Sequence, residues 1–256
     1  MHRFQIDPTL IKNDLVFLDE KESHHAISVL RLKAGDAVCV MDGKGRSFRG
    51  VVSGIADGRL RVKLDPFKGS SMEMVQRSQI TIAVSVIKPE RMELAIQKAC
   101  ELGVHKIIPL HSERCIIKLS KERWEEKIKR WRRIAAESCK QCGLSAVPEI
   151  TEVRDIKKTL SDPNNYDNIL LPTLAVPAQS LYAALTESKG GRILALIGPE
   201  GDFTEKEAES AILSGAVPVT LGPLVLRTET AVIYFLSAVN FFYREINSQE
   251  KPSASI

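Results

Sequence analysis

From Gln79 onward the chain alternates apolar runs of six to eight residues with segments of helical periodicity, and that rhythm admits few folds. A short apolar run bounded by turn signals suits a strand buried on both faces, and the stretches between such runs are long enough to cross back over a sheet. ITIAVSVI is the first such strand. Pro89 opens the helix PERMELAIQKACELG, Gly103 lies past its end, and VHKIIPL returns as the next strand. A long helix is predicted from about Lys121 to Cys142, stopped at Gly143. The strands EITEV, NILLPTL, RILALIG and AVPVTLG follow with helices between them, and a last helix runs from Thr228 to Ile246. The fold class is α/β with a parallel sheet.

The preceding residues have a different character. DAVCVMDGKGRSFRGVVSGIADGRLRVKLDP alternates short apolar runs with turn signals, and both Asp42-Gly43-Lys44-Gly45 and Asp57-Gly58 fit hairpin turns. Ahead of them SHHAISVLRLKAGD reads as a brief helix capped by Ser23 and stopped near Gly35. This half is a small β-rich domain, expected to be a barrel, and the polar piece KGSSMEMVQRSQ is the linker. The expected organisation is residues 1–72 as the β-domain, 73–247 as the α/β domain and 248–256 as a tail.

With 256 residues, 44% hydrophobic and 27% charged, the chain has enough apolar surface to build one or two cores, which excludes intrinsic disorder and a disulfide-stapled miniprotein. No run approaches the roughly 18 apolar residues of a membrane span. MHRFQIDPTL lacks the layout of a signal peptide, so a cytoplasmic protein is expected. Five scattered Cys fit reduced thiols. Cys139 and Cys142 form one CxxC without a second pair, and no metal is expected.

A net charge of +4 is too small to imply nucleic-acid binding, but the charge is localised. Between Arg114 and Arg133, Lys118 among them, nine basic residues face three acidic ones. In the long helix Trp124, Ile128, Trp131 and Ala135 share one stripe while Lys127, Arg130 and Arg133 share another, so a basic face can stand free of the core. The hairpins add Lys44, Arg46, Arg49, Arg59, Arg61 and Lys63 against Asp42 and Asp57. Two basic patches favour a polyanionic ligand over solubility alone.

In open parallel sheets ligands gather beyond the carboxyl ends of the strands. After RILALI comes Gly198-Pro199-Glu200-Gly201-Asp202-Phe203, then Thr204 with Glu207 three residues on, a capping box. After AVPVTL comes Gly222-Pro223-Leu224-Val225-Leu226, then Arg227-Thr228-Glu229-Thr230 at a helix start. Neither loop fits a dinucleotide or phosphate-cradling motif.

Taken together, HHAISVLRLKAGD, IKPERMELAIQKACELGVHKIIPLHSER, RWRRIAAESCKQCG, VPEI, LIGPEGDFTEKE and LGPLVLRTETA closely resemble, in this order, the RsmE family, the ribosomal RNA small subunit methyltransferases E of the SPOUT superfamily. The resemblance covers nearly the whole chain. It implies a PUA-like barrel followed by an α/β domain with a deep trefoil knot, a homodimer, S-adenosylmethionine as methyl donor, and N3-methyluridine in 16S ribosomal RNA, free or in the small subunit, as product. Carried over residue by residue, it implies cofactor binding by Gly198, Pro199, Glu200 and Gly201 and by Leu221, Gly222, Leu226 and Thr228. Pro172 and Thr173 supply a third loop, and RNA contact falls to Arg3, His25, Arg31, Lys88 and Arg91, beside Lys127, Arg130 and Arg133 of the basic face. One departure is visible: the family usually reads GPEGG, whereas this chain has Asp202 in place of the last glycine, a residue that tolerates positive φ.

Neutral uridine N3 carries a proton and is a poor nucleophile, so methylation needs a base or a group that stabilises the anion. Glu229 is the candidate base and Arg227 the candidate for charge on the uracil oxygens, or for a phosphate. A carboxylate in the first turn of a helix is also favoured by the helix dipole alone. His24 and His25 fit a surface or packing role better than acid-base chemistry. The competing readings are a related knotted methyltransferase with another RNA target and a non-catalytic ribosome-assembly factor that binds RNA.

Overall fold

The computed structural model describes residues 1–65, 78–115, 117, 119–188 and 190–246. Most of the expected linker (residues 68–77), the tail 248–256 and Lys118 lie outside the described residues. The chain divides into two compact units, one of Met1–Val75 with Ala136–Val147 and one of Gln76–Ala135 with Pro148–Ile256.

The first unit is built on a five-stranded sheet of β1 (His2–Gln5), β2 (Leu15–Phe17), β3 (Ala37–Met41), β4 (Ser47–Ala56) and β5 (Arg59–Leu64), in the order β1-β3-β4-β5-β2. The expected hairpins join β3 to β4 and β4 to β5. In the second, Asp57 and Gly58 take φ of 52° and 72°, the double positive φ that lets a two-residue turn match strand twist. In the first, the buried Asp42 carboxylate accepts from the backbone N–H of Lys44 and Arg46 at 2.8 and 2.9 Å and from Arg46 Nε at 2.7 Å. Phe4, Val16, Leu18, Val38, Val40, Leu60 and Val62 fill the core of this unit.

The helix of this unit starts earlier than expected. α1 (Glu20–His24) is capped by Asp19, whose carboxylate accepts from Glu22 N–H at 2.7 Å. Ser23 is not the cap, because its hydroxyl is buried and committed elsewhere. It donates to Leu18 O at 3.1 Å and accepts from Leu60 N–H at 3.0 Å, tying the helix to β5. A π-helical turn over His25–Val29 follows, then Arg31 with φ 55° and Gly35 with φ 96°.

The second unit carries a seven-stranded sheet of β6 (Ser78–Ser85), β7 (Lys106–Leu110), β8 (Glu149–Ile150), β9 (Asn168–Pro172), β10 (Gln179–Ser180), β11 (Gly191–Ile197) and β12 (Ala216–Thr220). The order is β10-β12-β9-β11-β6-β7-β8, and every pairing is parallel. Strands β6 and β11 sit in the middle with both edges hydrogen-bonded, which is why their sequences are continuous apolar runs. The last two residues of the expected linker, Ser78 and Gln79, already belong to β6. EITEV contributes only the short edge strand β8, with one further bridge between Leu110 and Arg154.

Crossover helices include α2 (Pro89–Glu101), α3 (Lys121–Cys142), α4 (Ile156–Thr159), α5 (Leu181–Glu187), α6 (Glu205–Leu213) and α7 (Thr228–Phe241), the last continued by a π-helical turn over Phe242–Ile246. Along α3 the expected apolar stripe is buried at Ile128, Trp131 and Ala135, and half-buried Trp124 packs against Trp131 with ring centroids 6.4 Å apart and the planes tilted by 49°. The C-terminal turns of α3 belong to the first unit. There Lys140 pairs with the buried Glu22, and Arg3 donates to Gln141 O at 3.1 Å. No helix among the described residues is long and apolar enough to cross a membrane.

The stripe predicts unequal costs for its two indoles. Trp131→Ala should destabilise the protein by about 3–5 kcal/mol, the range for truncating a buried large side chain, whereas the half-buried Trp124 should cost less. Urea unfolding of the two variants measures the difference.

Candidate functional site

The parallel sheet directs the carboxyl ends of β9, β11 and β12 to one edge, and the loops that follow them enclose a cavity of about 380 Å³. That size suits a small-molecule ligand. All ten residues expected to hold a cofactor line it: Pro172 and Thr173 after β9, Gly198 to Gly201 after β11, and Leu221, Gly222, Leu226 and Thr228 after β12. Sequence reasoning missed Arg114, Leu174, Ala175, Phe203, Glu205, Leu224 and Val225, which line the same cavity. Only their position after the strands could have pointed to them.

The loops are fastened to one another. Thr228 Oγ1, buried at the start of α7, donates to Gly198 O at 3.0 Å, joining the β12 loop to the β11 loop. Arg114 donates to the carbonyls of Gly201 and Phe203, and Glu113 N–H donates to Glu207 Oε1 at 2.8 Å, so the segment after β7 braces the same loop. Thr204 and Glu207 form the expected capping box at α6. Asp202, with φ 60°, links the β11 loop to the β9 loop through Thr173, Leu174 and Ala175.

Two glycines of the β11 loop play different parts. A Cβ on Gly198 would meet Asp202 Oδ1 at 3.0 Å and Phe203 N at 3.2 Å, so any side chain here would press on Asp202 and the backbone after it. A Cβ on Gly201 would find only Arg114 Cδ at 3.6 Å. The fold leaves that position open, and its bare backbone faces the cavity.

Glu229, the second residue of α7, is 7% exposed, and its Oε2 has no hydrogen-bond partner among the described residues. Its Oε1 lies 3.8 Å from Arg91 Nε on α2, and Arg91 Nη1 donates to Glu200 Oε1 at 3.0 Å. Arg91, expected to contact RNA, thus bridges Glu200 of the β11 loop and Glu229 of α7. Arg227 is exposed as the residue before α7. A carboxylate with a free buried oxygen beside one cation can accept a proton, which is the chemistry a general base needs. Burial pushes the Cys115 thiol up, and its Sγ donates to Val86 O at 3.1 Å, so it does not supply a thiolate.

The remaining basic candidates fall into groups by what they touch. His25 and Arg31 are exposed, flanking or within the π-helical segment of the first unit, and Arg31 holds a φ that bulky residues rarely adopt. Lys88 is exposed at the N-terminus of α2. Arg3 is exposed while capping Gln141 O. On α3, Arg130 is engaged in two hydrogen bonds to Glu93, at 2.6 and 2.8 Å, that hold the Glu93 carboxyl below the usual carboxylate range. Lys127 is half-buried and Arg133 exposed. Among the described residues no cluster of His, Cys, Asp and Glu has the makings of a metal site, and Cys139 is buried while Cys142 is exposed.

Two family models match the chain: an RNA methyltransferase domain over residues 75–240 and an RNA methyltransferase PUA domain over residues 18–65. Ribosomal RNA small subunit methyltransferase E of Mycobacterium tuberculosis is 30% identical over 92% of this chain and 90% of that protein. The Bacillus subtilis enzyme of the same name is 29% identical over 86% of this chain and 88% of that protein. A crystal structure of ribosomal RNA small subunit methyltransferase E from Neisseria gonorrhoeae bound to S-adenosyl methionine superposes with a TM-score of 0.79 at 27% identity, covering 94% of this chain and 98% of that one.

The contrast between the two glycines is testable without any ligand. Gly198→Ala should lower the melting temperature by several degrees, a shift that corresponds to roughly 1–2 kcal/mol in a protein of this size. Gly201→Ala should leave it within a degree or so. Differential scanning calorimetry on the two variants checks both.

Proposed function

The chain belongs to the ribosomal RNA small subunit methyltransferase E family, and on that premise we propose that it transfers the methyl group of S-adenosylmethionine to N3 of a uridine in 16S ribosomal RNA. The observation that carries the mechanism is the buried Oε2 of Glu229, which has no hydrogen-bond partner among the described residues and belongs to the residue after Thr228, a residue that lines the three-loop cavity although Glu229 itself does not. The cavity fits the donor in size, and Gly201 leaves space at its wall that a side chain would fill. Bound there, S-adenosylmethionine supplies an electrophilic methyl group on a sulfonium.

The residues of the chain do the rest. The loops after β9, β11 and β12 hold the donor and exclude water, so that most of the rate comes from alignment of donor and acceptor. Glu229 Oε2 takes the N3 proton as the N–C bond forms and the C–S bond breaks, leaving a neutral thioether, a methylated base and a protonated Glu229. Arg91, fixed by Glu200, orients the Glu229 carboxylate before the reaction. Arg227, exposed at the same helix start, meets the charge that develops on the uracil oxygens or grips an adjacent phosphate.

RNA is bound by the π-helical segment with His25 and Arg31, by Lys88 and by Lys127 and Arg133. Arg3 and Arg130 add charge but already serve Gln141 O and Glu93, and Arg91 orients the base rather than the backbone. A homodimer belongs to the same reading. Its support is the exposure of the large apolar side chains Leu224 and Val225 on the β12 loop and Tyr234 and Phe241 on α7, which a second copy would cover. A deep knot in the second unit is likewise part of the proposal.

Glu229→Gln keeps size and hydrogen-bonding reach but removes the basic carboxylate. Single-turnover methylation by this variant should fall by roughly 10²–10⁴, while donor and RNA affinity hardly change. An unchanged rate at neutral pH would remove Glu229 from the chemistry. Gly201→Val should abolish donor binding in calorimetry while the protein stays folded, because the bare backbone there is what the donor approaches.

A further inference from the structure

The loop after β11 reads Gly198-Pro199-Glu200-Gly201-Asp202, and the side chain of its last residue turns back into the structure rather than out to solvent. Asp202 Oδ2 accepts three hydrogen bonds from the loop after β9: Thr173 Oγ1 at 2.8 Å, Leu174 N–H at 2.6 Å and Ala175 N–H at 3.2 Å. Its Oδ1 accepts from Phe203 N–H at 2.7 Å. No cation pairs with this carboxylate among the ion pairs of the described residues, so its charge is held by backbone amides and one hydroxyl. Thr173, Leu174, Ala175, Gly201 and Asp202 all line the cavity.

We propose that Asp202 is a positioning residue that clasps the β9 and β11 loops together and so presets the methyl-donor pocket before the donor arrives. The inference rests on the proposed function for the identity of the ligand, but the clasp itself is a property of the free protein. With the clasp intact, the loop after β9 is already ordered and its ordering cost is absent from the binding free energy. The same carboxylate lies against Gly198, where a Cβ would meet its Oδ1 at 3.0 Å, so the clasp and the tight turn are packed together. A glycine at position 202 would accept the same φ of 60° and lose every one of the side-chain hydrogen bonds. An asparagine would also accept that φ, but its amide nitrogen must replace one of the two acceptor oxygens and so confront donors on one side.

The test uses the full chain with Asp202→Gly, Asp202→Asn and Thr173→Val. In the free protein, hydrogen exchange at the Leu174 and Ala175 amides should speed up at least tenfold in Asp202→Gly, with the melting temperature of the whole protein changed little. Calorimetry should show S-adenosylmethionine and its thioether product, S-adenosylhomocysteine, both weakened about tenfold, the scale of ordering one loop on binding. The KM for the donor should rise by the same factor while kcat at saturating donor and RNA stays within about twofold. Asp202→Asn should fall between wild type and Asp202→Gly. Thr173→Val should weaken binding in the wild-type background and do so less on top of Asp202→Gly, where the bond to Asp202 is already gone and only the acceptance by Thr173 Oγ1 from Ala175 N–H at 3.1 Å is left to lose.

Unchanged exchange at Leu174 and Ala175 would overturn the clasp whatever the ligand. Loss of S-adenosylmethionine with the thioether still bound as in wild type would overturn it too, because Asp202 would then recognise the sulfonium charge directly. A fall in kcat with the donor affinity intact would likewise contradict it. Failure of the wild-type chain to bind either compound would instead count against the proposed function, while the exchange measurement would still decide the clasp.

Discussion

Strands β6 and β11 are hydrogen-bonded in parallel on both edges, and the parallel pairing carried on through β9 and β12 places the loops that line the cavity. Because β9, β11 and β12 run in the same direction in adjacent positions, their carboxyl ends reach one edge of the sheet together. Three segments far apart in the chain can then face one cavity with no side chain reaching far. Continuous apolar runs such as RILALI are the sequence correlate of the same fact, since a strand covered on both faces has no polar side to display.

A cavity built only of loops would be soft, and hydrogen bonds that cross between loops offset that. Thr228 joins the third loop to the second, Asp202 joins the second to the first, and Arg114 holds the second from the far side. Arg91 extends the arrangement to the acids Glu200 and Glu229. For the proposed in-line methyl transfer, preset geometry matters more than strong new contacts, because such a displacement gains chiefly from alignment and from the absence of reorganisation. Two glycines of the second loop fit this division, with Gly198 packed against Asp202 and Gly201 left with room for a Cβ.

The alternation of strands and helices, the hairpin turns at Asp42 and Asp57 and the three loop strings were legible in the sequence because each has a local cause: apolar runs, positive-φ residues, and glycine and proline at strand ends. What escaped was decided by contacts between distant segments. Ser23 looks like a cap until Leu60 is brought against it, which leaves the cap to Asp19. The return of Ala136–Val147 to the first unit depends on Glu22 meeting Lys140 and on Arg3 meeting Gln141, and no local pattern announces either. Arg91 and Arg130 resemble free cations on a helix, yet Glu200, Glu229 and Glu93 lie within reach only after folding. Asp202 could be flagged as a departure from a glycine-rich loop, but its partners at Thr173, Leu174 and Ala175 come from a different strand end.

The central claim is methyl transfer to one nitrogen of one base, and the product reports on it directly. Small-subunit ribosomal RNA from a strain lacking this chain, and from the same strain complemented with it, can be digested and mapped by mass spectrometry to the modified nucleotide and atom. The account predicts a single N3-methyluridine that is absent without the chain and restored with it. Identical methylation in both strains, or a restored methyl group on another base or atom, would contradict it.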